Sequence, residues 1–113
     1  MIVRNARTGT VLAARAGRAA TFGARLFGLM GRRSLPDGEA LLIERCAAIH
    51  TWFMRFPIDV AFLDREHRML RAVAGLAPWR VRSCRGAAAT LELPSGALAK
   101  SETREGDLLE LEV

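Results

Sequence analysis

The stretch Ile58-Asp59-Val60-Ala61-Phe62-Leu63, followed by Asp64-Arg65-Glu66-His67, decides the fold of this chain. Five of its first six residues are apolar and two are β-branched, which is the composition of a largely buried strand. The four polar residues that follow indicate a turn, and residues 69–74, apolar except for Arg71, supply a partner strand. The centre of the sequence therefore predicts a β-hairpin.

Strand signals continue on both sides of this hairpin. Leu109, Leu111 and Val113 alternate with Glu110 and Glu112, which predicts a strand with one buried and one solvated face. Further apolar runs bounded by turn residues lie at residues 2–3 and 11–12, which read as a hairpin around Asn5 and Gly9, and at 41–43 and 87–93. We therefore predict a mainly β fold, a small β-sandwich or a barrel-like domain.

One short helix is predicted early in the chain, over about residues 22–31. Thr21 can cap it, and Phe22, Leu26, Leu29 and Met30 form a single apolar stripe at helical spacing. The turn Ser34-Leu35-Pro36-Asp37-Gly38 ends this segment. With 113 residues, no internal repeat and no linker, residues 1–113 are predicted to form a single domain.

The charge pattern disfavours several classes of partner. The net charge is +5, but the sixteen arginines are spread from Arg4 to Arg104 without a basic tail or arm. Nucleic-acid binding needs a focused basic face, ideally with exposed rings, so this pattern disfavours it. No apolar run is long enough for a membrane span, and the N-terminus lacks the apolar core of a secretory signal. We expect a cytoplasmic protein, with Cys46 and Cys84 as free thiols.

The residues with the most chemical potential lie between Cys46 and Asp59. His50 could act as a general base near neutral pH, or a backbone carbonyl could fix it so that it holds the shape of a loop. Cys46, four residues earlier, could be a reactive thiol if His50 or an arginine activates it. The cysteines lack the paired spacing of structural zinc motifs, so no metal and no cofactor are predicted.

Two carboxylates beside apolar strands suggest a pocket. Asp59 is costly to bury without a partner, so it should accept backbone N–H groups or pair with an arginine such as Arg55. Glu92, between Leu91 and Leu93, faces away from those leucines. If that face is concave, Glu92, Asp59 and His50 could meet there and hold a small polar ligand.

The aromatic run after His50 has two expected roles. Phe53 and Phe56 are expected in the core, whereas Trp52 and Met54 are expected at the rim of a site, since methionine adapts to varied partners. No phosphate-binding loop, dinucleotide motif, metalloprotease motif or serine-hydrolase motif is present. Nucleotide-dependent and serine-hydrolase chemistry are therefore disfavoured.

Several segments, taken in their order along the chain, resemble those of an uncharacterised prokaryotic family, domain of unknown function 192. They are residues 25–35 (RLFGLMGRRSL), Ile49-His50-Thr51 with Met54, residues 58–64, Pro78, residues 88–96 and Gly106-Asp107. The resemblance covers about residues 20–110. It implies a compact, mainly β sandwich with one early helix, and it implies no activity.

The sequence therefore predicts a small, non-catalytic binding domain for a small polar ligand or a partner protein. The predicted binding residues are His50, Thr51, Met54, Asp59 and Glu92. The alternative is a thiol- or metal-dependent enzyme that uses Cys46 with His50. The ligand, the reaction, the oligomeric state and the proximity of Cys46 to Cys84 stay open at this stage.

Overall fold

The structure, a computed structural model, describes residues 1–21, 29 and 32–113. In chain order its strands are β1 (Ile2–Asn5), β2 (Val11–Ala13), β3 (Arg15–Ala19), β4 (Glu39–Glu44), β5 (Ala48–His50), β6 (Ile58–Leu63), β7 (Met69–Leu76), β8 (Val81–Ser83), β9 (Ala89–Pro94) and β10 (Leu109–Glu112). A single turn of helix, α1 (Ala97–Lys100), lies between β9 and β10.

These strands form three sheets. The main sheet has the order β3-β4-β9-β6-β7, and all of its neighbouring pairs are antiparallel except β3 and β4. A three-stranded sheet has the order β10-β1-β2, and β5 pairs with β8 in a separate two-stranded ribbon. In the described part of the chain none of the sheets closes into a barrel.

The main sheet separates two apolar clusters because side chains alternate along its central strands. Ile58, Val60 and Phe62 of β6 enter one cluster, whereas Ala61 and Leu63 enter the other. Every residue of β6 and β9 is buried. This double burial explains why β6 reads as an almost continuous apolar run rather than as a strict alternation.

The mainly β prediction is confirmed, as are the hairpin of β1 with β2 and the hairpin of β6 with β7. The helix predicted over residues 22–31 lies outside the described residues apart from Leu29, which is buried. Three strands were missed: β3, β5 and β8. Two of them have only three residues, and β3 carries two arginines and a glycine, so none gives a recognisable apolar pattern. Within the described residues, no helix is long and apolar enough to span a membrane.

Candidate functional site

Thr51, directly after β5, joins two loops at one end of the molecule. Its hydroxyl donates a hydrogen bond to the carbonyl of Ala77 at 2.7 Å and accepts one from the amide of Arg80 at 2.8 Å. Its amide donates to the carbonyl of Arg80, and its carbonyl accepts from the amides of Trp79 and Met54. Thr51 is fully buried, so these bonds fix residues 51–54 against residues 77–80 without competition from water.

The two loops present a group of exposed apolar side chains that we call the aromatic surface. Phe53 is 58% exposed and Trp79 is 57% exposed, and their ring centroids lie 4.8 Å apart. The rings of His50 and Trp52 form a second pair, also with centroids 4.8 Å apart. Val81, which pairs with His50 across the β5–β8 ribbon, completes the surface. Exposed apolar groups concentrated in this way mark interaction sites more often than isolated ones do.

The backbone beneath the aromatic surface is strained. Phe53 has φ 64° and Trp79 has φ 65°, in the left-handed region that disfavours bulky side chains. Each such residue costs on the order of 1 kcal/mol or more and persists only where the surrounding structure enforces it. Here the enforcing bonds are those of Thr51, and the strained pair consists of the two rings that lie against each other.

The two chain segments that form the aromatic surface contain positive but no negative side chains. None of the twelve carboxylates of the chain lies in residues 45–58 or 67–91, whereas these segments contain seven arginines. Arg55 and Arg80, in the two loops, are exposed. Elsewhere the arginines Arg4, Arg7, Arg18 and Arg32 each form an ion pair. In the described residues, none of the seven arginines of the acid-free segments has a carboxylate partner.

His50 and Cys46 lie near each other in sequence but bond to different groups. The Nδ1 atom of His50 accepts the amide hydrogen of Trp52 at 3.3 Å, so the backbone partner is an amide and not the carbonyl that the sequence suggested. The thiol of Cys46 donates to the carbonyl of Ala48 at 3.0 Å, and Cys84 is the other free thiol. No hydrogen bond joins Cys46 to His50 within the described residues, which also contain no cluster of three histidine, cysteine or acidic side chains that could hold a metal.

Asp59 is enclosed on the opposite side of the main sheet from Glu92. It is fully buried, its Oδ1 accepts the amide of Gly75 at 2.9 Å, and its Oδ2 accepts the amide of Leu98 at 2.9 Å. The expectation that Asp59 accepts backbone N–H groups is therefore met. These bonds tie β6 to Gly75 in β7 and to the single turn of α1, so the carboxylate has a structural role.

Glu92 faces the other apolar cluster. It lies between Leu41 on β4 and Val60 on β6, is 2% exposed, and has no hydrogen-bond partner among the described residues. Burial raises the pKa of its carboxyl from 4.5 to about 7. Because residues paired across neighbouring strands share a face, Glu92 lies on the face of Val60, whereas Asp59 lies on the other. The prediction that Asp59, Glu92 and His50 meet in one concave site is therefore wrong, because the sheet separates the two carboxylates.

Met54 was expected at a rim, but it is 5% exposed and packs in the apolar cluster with Ile49, Ile58 and Val60. Phe53, expected in the core, is instead among the most exposed rings. The two side chains exchange roles because the left-handed backbone at Phe53 redirects the chain after Trp52. No sequence pattern signals this reversal.

A polar network that the sequence did not reveal joins β1 to the loop before β10. Asn5 is fully buried, and its amide donates to Asp107 at 2.9 Å and to Thr103 at 3.1 Å. The Arg7 guanidinium, 2.7 Å from the carboxylate of Asp107, holds the pKa of that carboxyl far below its usual range, and the amide of Arg104 and the side chain of Asn5 add to this effect. Each polar group is paired within the network, which therefore serves the fold.

A cleft of about 570 Å³ lies beside this network. Its lining includes Thr10, Leu12 and Lys100, and it contains none of the predicted site residues. Lys100 forms an ion pair with Asp37 at the edge of this cleft.

Comparison with known proteins identifies the family of this chain. The profile of domain of unknown function 192 (DUF192), described as an uncharacterized ACR, matches residues 3–111. The chain belongs to the DUF192 family. The match extends the resemblance seen in the sequence to almost the whole chain, and the family is uncharacterised. No curated protein matches the chain.

Two solved structures share the DUF192 chain's fold. One, from Novosphingobium aromaticivorans, is a protein of unknown function with a TM-score of 0.87 and 25% identity, covering 98% of this chain and 84% of its own. The other, from Sinorhizobium meliloti, was described as a proposed transcription regulator and has a TM-score of 0.85 and 22% identity, covering 96% of this chain and 89% of its own. Neither comparison shows catalysis.

Thr51 gives a direct test of how the DUF192 aromatic surface is held. Thr51→Val keeps the shape of the side chain but leaves the amide of Arg80 and the carbonyl of Ala77 without their partner. We expect the free energy of unfolding to fall by about 2 kcal/mol, the cost of unsatisfied buried polar groups. Chemical denaturation measures the change, and Thr51→Ser, which keeps the hydroxyl, is the control. Equal losses in the two variants would contradict the role assigned to the hydroxyl, since only Thr51→Val removes it.

Proposed function

We propose that this DUF192 chain is a non-catalytic binding domain and that the aromatic surface, with Arg55 and Arg80, holds an anionic partner. The observation that carries the proposal is the strained pair Phe53 and Trp79, which is exposed and lies close in sequence to the exposed Arg55 and Arg80, neither of which pairs with a carboxylate of the described residues. Strain at exposed rings does not favour folding, and such features cluster at sites of function. The positive surroundings favour an anion.

The proposal assigns different roles to the five residues predicted from the sequence. His50 belongs to the surface through its ring contact with Trp52. Thr51 and Met54 position the loop from below, one by hydrogen bonds and the other by packing in the core. Asp59 and Glu92 lie within the main sheet and take no part in binding under this proposal.

A cytoplasmic location is part of the same proposal. Cys46 and Cys84 are free thiols, which is the state that a reducing compartment maintains.

The enzyme alternative receives no support from the described geometry, since Cys46 bonds to a backbone carbonyl rather than to His50. The description of the Sinorhizobium meliloti protein as a proposed regulator concerns a chain 22% identical to this one, for which the comparison supports the fold alone.

Binding can be followed by the intrinsic fluorescence of the protein, because Trp52 and Trp79 are its only tryptophans and it has no tyrosine. We expect its fluorescence to change on titration with at least one of three polyanions: poly-L-glutamate, heparin or an oligothymidylate. The double variant Arg55→Ala/Arg80→Ala should bind more weakly by about thirtyfold, because each arginine contributes on the order of 1 kcal/mol to holding a polyanion.

The matched control is Arg65→Ala, which removes an exposed arginine from the turn after β6, at the far end of that strand from the aromatic surface. Its binding should equal that of the wild type. Failure of all three polyanions to bind, or equal losses in the control and the double variant, would overturn the proposal.

A further inference from the structure

We infer that the aromatic surface binds single-stranded nucleic acid, with bases stacked on its rings and phosphates held by its arginines. The inference rests on the proposed function and names the class of its anionic partner. The sequence disfavoured nucleic acid because its arginines are spread along the chain and its rings are few. Folding changes that judgement, since it brings together rings and arginines from two loops that are about 25 residues apart.

The rings are suited to stacking. Four of them, His50 at the end of β5 and Trp52, Phe53 and Trp79 on the two loops, form two contacting pairs. Trp52, Phe53 and Trp79 are 46%, 58% and 57% exposed, so much of each ring is available to a ligand. Stacking on exposed rings is a main source of affinity for unpaired bases, and it needs no particular base.

The charged groups near the rings are arginines, whose guanidinium groups can bind phosphate. Arg55, Arg80, Arg82 and Arg85 lie in the acid-free segments, and Asn5 is the only amide side chain in the chain. Asn5 is buried in the network with Asp107, away from this surface. Backbone contact by arginine combined with ring stacking is the arrangement of proteins that bind single strands with little sequence preference.

Two other anionic polymers fit less well. A duplex encloses its bases, so the ring faces of Phe53 and Trp79 would have no partner there. An acidic peptide offers charge to the arginines but no planar groups for the rings. A single strand uses both features, and the bonds of Thr51 hold the loops in place before binding, so that little ordering entropy is lost.

The deciding experiment compares two probes that differ only in their bases. One is a labelled oligothymidylate of about 12 nucleotides, and the other is an abasic oligonucleotide of the same length. Fluorescence anisotropy at low salt measures both affinities for the full chain. We expect the oligothymidylate to bind about tenfold more tightly than the abasic strand, since stacking of even one base has that effect.

Two ring variants test where the bases stack. Phe53→Gly and Trp79→Gly remove a ring at positions whose left-handed backbone glycine adopts without cost, so both should fold. Each should lower affinity for the oligothymidylate several-fold while leaving that for the abasic strand unchanged. Arg80→Ala should weaken both probes equally, and Val11→Ala, which truncates an exposed apolar side chain on β2, should change neither. Retained thermal unfolding transitions confirm that the variants fold.

The outcomes separate this inference from the proposed function. Equal affinities for the two probes, lost in Arg55→Ala/Arg80→Ala, would overturn base stacking and leave an anionic partner in place. Binding of poly-L-glutamate without binding of either oligonucleotide would replace nucleic acid with an acidic protein segment. Tighter binding of a duplex than of the oligothymidylate would overturn the single-strand assignment. Absence of binding to any polyanion would remove both proposals.

Discussion

Replacement of Asp59 with alanine is expected to lower the free energy of unfolding by about 4 kcal/mol. The carboxylate is fully buried and satisfies the amides of Gly75 and Leu98, each at 2.9 Å. Its removal leaves the buried amide of Leu98 and the partly buried amide of Gly75 without acceptors, and each unsatisfied group costs about 1–3 kcal/mol. Urea denaturation monitored by the fluorescence of Trp52 and Trp79 measures the loss.

Asp64 supplies a matched control for this prediction. Its Oδ1 also accepts two backbone amides, those of Glu66 at 2.9 Å and Arg68 at 2.8 Å, but in an exposed turn. Water can replace these bonds, so Asp64→Ala should cost about 1 kcal/mol. If the two alanine variants lost equal stability, burial would not be the reason that Asp59 matters. Asp59→Asn, which retains a single acceptor oxygen, should fall between the wild type and Asp59→Ala.

The sequence predicted the strand that carries Asp59 and the kind of partner that the carboxylate would have, because both depend on local composition. It did not predict which residues Asp59 would face. That depends on the pairing of β6 with β9, in which Ile58 lies opposite Pro94 and Val60 opposite Glu92. A shift of one residue in this register would move Glu92 to the side of Asp59. The register is set by contacts between strands about 30 residues apart, which a single sequence does not reveal.

The aromatic surface was harder to predict for a different reason. Its two loops meet because Thr51 bonds to Ala77 and Arg80, and a lone threonine gives no sign of such partners. The left-handed backbone at Phe53 and Trp79 also opposes the usual preferences of bulky residues. Local propensity therefore predicted the longer strands and failed at the strained loops, where tertiary bonds override it.

Stability should fall as the pH rises through neutrality, and Glu92 should be the cause. Burial between Leu41 and Val60 raises the pKa of its carboxyl from 4.5 to about 7 in the folded protein. The folded state therefore binds this proton more tightly than the unfolded chain does. The stability associated with the protonated form is fully present below about pH 4.5 and is lost as the pH rises through about 7. At about 1.4 kcal/mol per pKa unit, the loss amounts to about 3 kcal/mol.

Glu92→Gln tests this prediction because it keeps the size of the side chain and removes the charge. The difference in unfolding free energy between wild type and variant, measured by denaturation from pH 5 to pH 8, should shift toward the variant by about 3 kcal/mol as the pH rises. The histidines contribute equally to both proteins, and Asp107 ionises below this range because Arg7 holds its pKa low, so the difference isolates Glu92. A difference that stays constant with pH would mean that the carboxylate is solvated or paired when charged. A difference that changes with pH would mean that the centre of the main sheet carries an unpaired carboxyl whose ionisation opposes folding. Asp59, on the other face of the same sheet, has the opposite effect, because two backbone amides hold its carboxylate and stabilise the fold.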